Sequence, residues 1–407
     1  MPRRISPAKG PMGRPALGIR QTILYHTSPA AVAYLHSRLP LTAAVQRILL
    51  CCLALLAVMT PAAGRQYGTP FFQNYAPNEY GASTQNWQAI QDSRGIMYFS
   101  NTNCVLEFDG EEWDQIYLPG QPIVRSLAQT RDGVIYVGAQ GDIGYLEPTK
   151  SGHMRFVSIK ASIPEDQRGF RDVWRVHAAE EGVYFLTDYK LFLLQKNGTI
   201  KVWLPRRSFF LSFYTDGVLY VHEIGVGLMR LQHQELQLVP GGERLADKSV
   251  QSMIPLGGNK LLIATGKDGL YLYDAMATGA QAMVPFDSPL NEELKANVAY
   301  SLAFANNTFV VGTLRNGVYL LDKGMELITV LNQEKGLQNN QVWSMQPDRQ
   351  GGVWLCLNKG IARVELGTPI TAWGIEEGAG KIFSVRRYQG RLLVASGQDV
   401  SEYDEKQ

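Results

Sequence analysis

The sequence predicts an all-β fold, a β-propeller of four-stranded antiparallel blades, from three observations. A strand-rich unit recurs eight times, its first turn centred on Gly95, Gly133, Gly182, Gly217, Asn259, Asn307, Gly352 and Gly390. These turns are spaced by roughly 42 residues, the length of a propeller blade. Within each unit, runs of four to six residues alternate apolar and polar positions, as half-buried antiparallel strands do. The 40 glycines and 19 tyrosines among 407 residues suit many short strands joined by tight turns.

The chain opens with a segment of different character. Residues 1–64 carry seven basic and no acidic residues, and within them Arg47 precedes the apolar run Ile48–Met59, followed by small residues to Gly64. A basic flank, a short apolar run too brief to span a bilayer and a small-residue exit predict a secretory signal, cut near Gly64–Arg65. An uncut anchor and an organelle transit peptide are the alternatives. The long stretch before Arg47 also leaves the true start codon open. Without the leader, 32 basic residues face 37 acidic ones, a mildly acidic balance that gives no reason to expect nucleic acid.

From residue 65 the repeats follow one another. Trp87–Asp109, Val298–Asp322 and Val342–Glu365 show three strands each most clearly, with further copies starting at Val124, Val173, Phe210 and Val250. The connectors supply fourth strands at 154–159, 199–204, 236–240, 280–286 and 326–331, and no long helical pattern interrupts them. Pro70–Tyr75 (PFFQNY) is a strand without a blade of its own. An open sheet edge invites aggregation, so this strand is expected to complete the blade beginning at Val342. A similar orphan, 370–375, precedes the eighth repeat at Ile382. The expected domains are therefore a leader at 1–64, a seven-bladed propeller at 65–367, and an eighth blade-like repeat at 368–407. That last repeat either opens a second, truncated propeller or closes an eight-bladed ring. Cys104 and Cys356 have no CxxC or His cluster nearby and are expected to be unbridged buried thiols.

Residues 70–113 (PFFQNYAPNEYGASTQNWQAIQDSRGIMYFSNTNCVLEFDGEEW) resemble the start of the extracytoplasmic sensor region of two-component regulator propeller proteins. The run 342–361 (VWSMQPDRQGGVWLCLNKGI) is similar to that family's repeat, with Leu357 where Thr is usual, and 336–345 is similar to its linker into a blade. The resemblance implies one or two seven-bladed propellers followed by a small β-sandwich, a membrane helix and an output module, commonly a histidine kinase. None of these follows within the 407 residues. The chain is accordingly expected to be the periplasmic or extracellular sensor part of a two-component-type signalling protein. Any kinase activity would reside downstream, and a homodimer is compatible with the full-length protein.

No HExxH, GxSxG or P-loop occurs, and Gly266–Lys267 is followed by Asp268 rather than Ser or Thr. The pairs Glu111–Glu112, Glu180–Glu181, Glu292–Glu293 and Glu376–Glu377 are expected in solvated turns. No cofactor, metal or catalytic residue is expected. The alternative is a propeller-fold glycosidase or lyase drawing carboxylates from different blades.

In a propeller, the loops before each first strand and between second and third strands open on one face around the channel. Those loops hold Trp87, Arg125, Arg171, Trp174, Lys267, Arg315, Asn316, Asn340, Trp343 and Lys359. Aromatic and adaptable polar groups suit a small-molecule, carbohydrate or peptide ligand, and the cations favour an anionic one. Lys267, Arg315 and Lys359 are expected to face one shared cavity. The three tryptophans occupy equivalent places in their repeats, which also suits packing between blades.

Overall fold

Seven four-stranded antiparallel sheets form a ring within residues 67–373 of the computed structural model. The structure describes residues 3–5, 69–367, 371–372, 382–388, 391–396 and 400–404. The first strands are Asn86–Gln91, Val124–Gln129, Arg175–Ala178, Phe209–Thr215, Ser252–Gly257, Ala299–Ala305 and Val342–Pro347, defining blades 1 to 7. Each first strand packs beside those of the blades before and after it, and the strand of blade 7 packs beside that of blade 1. The ring is thus closed, and its first strands form the wall of a central channel.

Second strands lie between neighbouring sheets and are buried on both faces. Met97–Asn101, Gly182–Leu186 and Gly352–Leu357 accordingly read as continuous buried runs rather than alternating ones. Fourth strands form the rim and are half exposed. They run Met154–Ser158, Ile200–Trp203, Glu235–Leu238, Met283–Pro285 and Leu327–Leu331, inside or within one residue of the expected windows, with Trp113–Ile116 in blade 1. Of the expected turn anchors, Asn259 and Asn307 take left-handed conformations, with φ of 63° and 64°. In blade 7 that conformation falls on Gly351 rather than Gly352.

Closure uses the strand predicted for it. Phe72–Tyr75 pairs antiparallel with Ile361–Glu365 in the register Phe72↔Val364 to Tyr75↔Ile361, becoming the outer strand of blade 7. The eight-bladed alternative fails here, because Val400–Asp404 pairs elsewhere. Side chains reinforce the seam. Gln338 Nε2 donates to Tyr75 O (3.1 Å) and Ile361 O (2.6 Å), and Asn74 Nδ2 donates to Gly336 O (2.9 Å). Tyr75 packs between the two ends of the ring, 5.4 Å from Trp354 and Phe108 and 5.5 Å from Trp113 between ring centroids. Cys104 and Cys356 are buried, unbridged thiols in this same cluster. Thr69–Pro70 pairs with Thr371–Ala372, giving part of the 370–375 orphan a partner from the start of the propeller.

Among the described residues two short α-helices interrupt the strands, Pro77–Tyr80 and Asn291–Asn297. The second opens with Glu292–Glu293, so this acidic pair sits at a helix start rather than in a turn. Negative charge there is favourable against the helix dipole. Glu376–Glu377 lies outside the described residues, as do the apolar run 48–59 and the expected cleavage point.

The second unit comprises residues 1–66 and 374–407. Its described part is a four-stranded antiparallel sheet of Ile382–Tyr388, Arg391–Ser396, Val400–Asp404 and Arg3–Ile5. The eighth repeat thus has the strand order of a blade, with three residues of the expected leader in the fourth place. Its first strand is exposed throughout, including Phe383, Val385 and Tyr388.

Candidate ligand site in the central channel

One position recurs at the start of each first strand or two residues before it. Asn86, Val124, Val173, Phe209, Val250, Ala299 and Val342 are all fully buried anchors between blades. The residues that follow them are Trp87, Arg125, Trp174, Phe210, Gln251, Tyr300 and Trp343. In blades 1, 2, 6 and 7 the ladder to the second strand skips this residue, the register slipping between Asn86 and Gln88, Val124 and Ser126, Ala299 and Ser301, and Val342 and Ser344. Blade 4 skips two residues, Phe210 and Leu211. A bulge of this kind frees a residue from the pairing pattern and re-aims its side chain.

The side chains freed in blades 6, 7, 1 and 2 meet one another and Trp174 of blade 3, which no bulge frees, across five consecutive blades. Tyr300 lies edge-on to Trp343 (5.3 Å, 81°), and Trp343 tilts against Trp87 (5.2 Å, 37°). The Arg125 guanidinium sits 4.0 Å from the centroid of Trp87 and 4.5 Å from that of Trp174, a cation between two indoles. Its Nε donates to Asp172 Oδ1 at 2.7 Å, and Trp174 Nε1 donates to Asp188 Oδ1 at 2.8 Å. Four polar atoms of this ring are buried with no protein partner: Trp87 Nε1, Arg125 Nη1, Gln251 Oε1 and Trp343 Nε1. Unpaired polar groups in a buried setting are costly, and these four come from blades 1, 2, 5 and 7 of one channel.

Two groups further along the first strand of blade 3 complete the electrostatics. Arg175 Nη1 donates to Trp174 O (2.9 Å), and burial works against its charge. His177 Nε2 is 2.9 Å from Ser212 Oγ, and burial together with the neighbouring Arg175 holds its pKa down at about 3, so it is neutral. Burial pushes the Tyr300 phenol up, opposed by the positive charges of Arg175 and Arg125. Arg175 in blade 3 and Tyr300 in blade 6 therefore sense each other across the channel. Two guanidinium charges face this space, and Asp172 offsets one of them.

The other sequence-selected residues sit apart from the stack. Arg171, Lys267, Arg315 and Lys359 are exposed on their loops, and no described contact joins them to the stack or to one another. Arg315 Nη1 donates to Ala296 O (2.9 Å). Asn316 Nδ2 donates to Tyr319 OH (2.9 Å), and Asn340 Oδ1 accepts from Gln333 N (2.7 Å), so both hold their loops.

Much of this face is held together by the backbone. Glycines in the turns between second and third strands donate to carbonyls at the entry of the next blade: Gly141 to Arg171, Gly225 to Ala246, Gly266 to Ala299, Gly317 to Asn340 and Gly360 to Thr84. At Gly317, where φ is +66°, a Cβ would fall 2.1 Å from Leu331 O, so only glycine fits. Arg175, Phe210, Gln251 and Tyr300 were missed by sequence reasoning, although aligning the repeats on the buried anchor would have found Phe210, Gln251 and Tyr300.

The buried carboxylates at this end of the ring are engaged, Asp172 by Arg125 and Glu223 by Arg207 N (2.8 Å). Among the described residues no group of three His, Cys, Asp or Glu could hold a metal ion. A groove of about 610 Å³ lies on the opposite face between blades 2 and 3, lined by Arg131, Asp132, Tyr136, Glu180, Leu194 and Lys196 among others. Its charges are mixed and it is remote from the stack.

Residues 336–359 match the family model described as "Two component regulator propeller". This segment is similar to a two-component regulator propeller repeat. The matched segment includes the first strand of blade 7 and so contributes Trp343 to the stack. Among solved structures, the extracellular domain of a hybrid two-component system from B. thetaiotaomicron is similar at 16% identity and a TM-score of 0.63, covering 83% of this chain and 48% of its own. The extracellular domain of a one-component system from the same organism is similar at 18% identity and a TM-score of 0.57, covering 82% and 46%. This chain spans about half the length of those domains. A virginiamycin B lyase from Staphylococcus aureus shares the fold at 12% identity and a TM-score of 0.54, covering 73% and 99%. At these identities the likenesses establish the propeller fold. No curated protein sequence matches.

Proposed function

We propose that this chain is the ligand-binding part of an extracytoplasmic sensor of two-component type, and that its ligand occupies the central channel. The observation that carries the reading is the stack Tyr300–Trp343–Trp87–Arg125–Trp174, drawn from five blades and carrying buried polar atoms with no protein partner. Rigid strands hold four of these side chains at bulges, and aromatic surfaces with a few convergent polar groups are how small-molecule sites are built. The regulator-propeller repeat and the extracellular domains of similar fold support the signalling context. In this reading the chain binds and does not catalyse, its buried carboxylates being committed to hydrogen bonds.

Export rests on the basic-flanked apolar run Ile48–Met59, and an N-terminus other than near Arg65 on exported protein would defeat the proposed cut. We further read the sheet at 382–404 as the first blade of a second propeller. Its register slips between Ile382 and Ser384, the position at which blades 1, 2, 6 and 7 carry their bulges.

The channel reading is tested by tryptophan fluorescence on the exported protein during titration with a panel of small sugars, short peptides and organic acids. A bound ligand is expected to change the emission, and the Trp87→Phe/Trp343→Phe double variant to lose that change. Binding that leaves the emission untouched, at full strength in Trp343→Ala, would put the site outside the channel.

A further inference from the structure

Resting on the channel reading, we infer that the ligand is a small ring-bearing monocarboxylate, its carboxylate taken by Arg125 and Arg175 and its ring set against Trp87 and Trp343. The charge balance of the channel requires an anion. Arg125 is only 9% exposed, and its sole described acidic partner is Asp172, bound through Nε, while Nη1 has no partner. Arg175, the second guanidinium, has a backbone carbonyl as its described partner and no acidic group. His177 beside it is held neutral and adds no charge. Asp172 offsets Arg125, which Trp87 and Trp174 flank, while the positive charge of the half-buried Arg175 is left uncompensated, and a carboxylate there gains more from a charge-assisted hydrogen bond than it would in open water.

The rings set the shape. Trp87 and Trp343 overlap in a tilted stack, 5.2 Å apart at 37°, with Tyr300 edge-on beyond them and the Arg125 guanidinium over the Trp87 ring, so the pair offers its edges and the outer face of Trp343. A small planar or chair-shaped ring can be set against those edges. The two unpartnered indole N–H groups then donate to hydroxyl or carboxylate oxygens at its edge. Asp172, already on Arg125, leaves room for one carboxylate, and a dianion would meet repulsion from it.

The experiment is calorimetric titration of the exported chain with glucuronate and benzoate, each against an uncharged counterpart, glucose and benzyl alcohol. At least one carboxylate is expected to bind at least tenfold more tightly than its counterpart. Arg175→Gln is expected to weaken that binding at least tenfold while the melting temperature stays within the scatter of replicates. Arg125→Lys keeps a charge opposite Asp172, guarding against misfolding, and is expected to weaken binding similarly because a lysine has one nitrogen and lacks the planar fork that reaches Asp172 and the ligand from separate atoms. Trp343→Phe is expected to bind with a reduced fluorescence change.

Equal binding of a carboxylate and its neutral counterpart, lost in Trp343→Ala but indifferent to Arg175→Gln, would overturn the anion inference and leave the channel reading standing. Carboxylate binding indifferent to Arg175→Gln and Trp343→Ala, but lost in Arg315→Ala/Lys359→Ala, would overturn both and move the site to the loops. No binding of either carboxylate up to roughly 10 mM, well above the millimolar affinity worth about 4 kcal/mol, would also overturn the inference.

Discussion

Replacing Tyr75 with alanine tests how the ring is held shut. The side chain is 8% exposed and lies at 5.4 to 5.5 Å from Trp354, Phe108 and Trp113, bridging blade 7 to blade 1. Truncating a buried aromatic costs about 3–5 kcal/mol, and each aromatic pair carries about 0.5–1.5 kcal/mol of that total. For a propeller of roughly 300 residues the unfolding entropy is about 0.6 kcal/mol/K, so the melting temperature is expected to fall by about 5–8 °C. Scanning calorimetry measures this directly. Tyr75→Phe keeps every ring contact and is expected to lose less than about 1 kcal/mol. The outer strand Phe72–Tyr75 should also lose amide protection before the inner strands of blade 7, since its hold on Ile361–Glu365 is weakened at one end. A melting temperature for Tyr75→Ala within about 2 °C of wild type would refute the argument that this residue clamps the seam.

Two further outcomes follow from the titrating groups. The native imidazole of His177 stays neutral down to about pH 3, whereas the unfolded one takes up a proton below its ordinary value of 6.5. As pH falls from 6.5 towards 3 the unfolded state therefore binds more protons and stability declines. His177→Gln should flatten the fall in melting temperature between pH 7 and pH 4.5, and an unchanged slope would remove His177 as its source. Burial pushes both Cys104 and Cys356 up to about 12, so neither thiol should react with a thiol reagent in the native protein at pH 8, and both should react in denaturant. Cross-linked Cys104–Cys356 peptides from unreduced protein would contradict this.

The fold was readable because its rules are periodic. The alternating strands, turn residues such as Asn259 and Asn307, and the orphan strand Pro70–Tyr75 each state a local requirement, and the ring is what satisfies them together. The helix Asn291–Asn297 escaped notice because seven residues offer too short a window for a 3.6-residue period to show.

The candidate site was only half readable. Trp87, Arg125, Trp174 and Trp343 were selected from their loops, and the structure brings these four together with Tyr300. What the sequence does not display is the bulge. Period-two alternation assigns the residue after each anchor to a sheet face, whereas the slipped register between Val342 and Ser344 releases Trp343 from that rule. Lys267 and Lys359 drew attention because charge is conspicuous in a sequence, yet both are exposed beside Gly266 and Gly360, the glycines that bond to the next blade. Arg175 went unnoticed because its neighbour Trp174 dominates the motif.

The pairing of Phe72 with Val364 also governs how the molecule is made. The two strands are separated by roughly 290 residues, and each doubling of such a loop adds only about 0.6 kcal/mol to its closure, so the distance costs time more than stability. At about 5–20 residues per second, the ribosome reaches the partner strand roughly 15–60 s after releasing the first. Throughout that interval the first strand must remain uncommitted while blades 1 to 6 assemble behind it. A polypeptide that ends before Ile361 leaves Phe72–Tyr75 with nothing to zip onto. Completion of the ring therefore proofreads translation: only a chain carried through to its seventh blade can hide both of its edges.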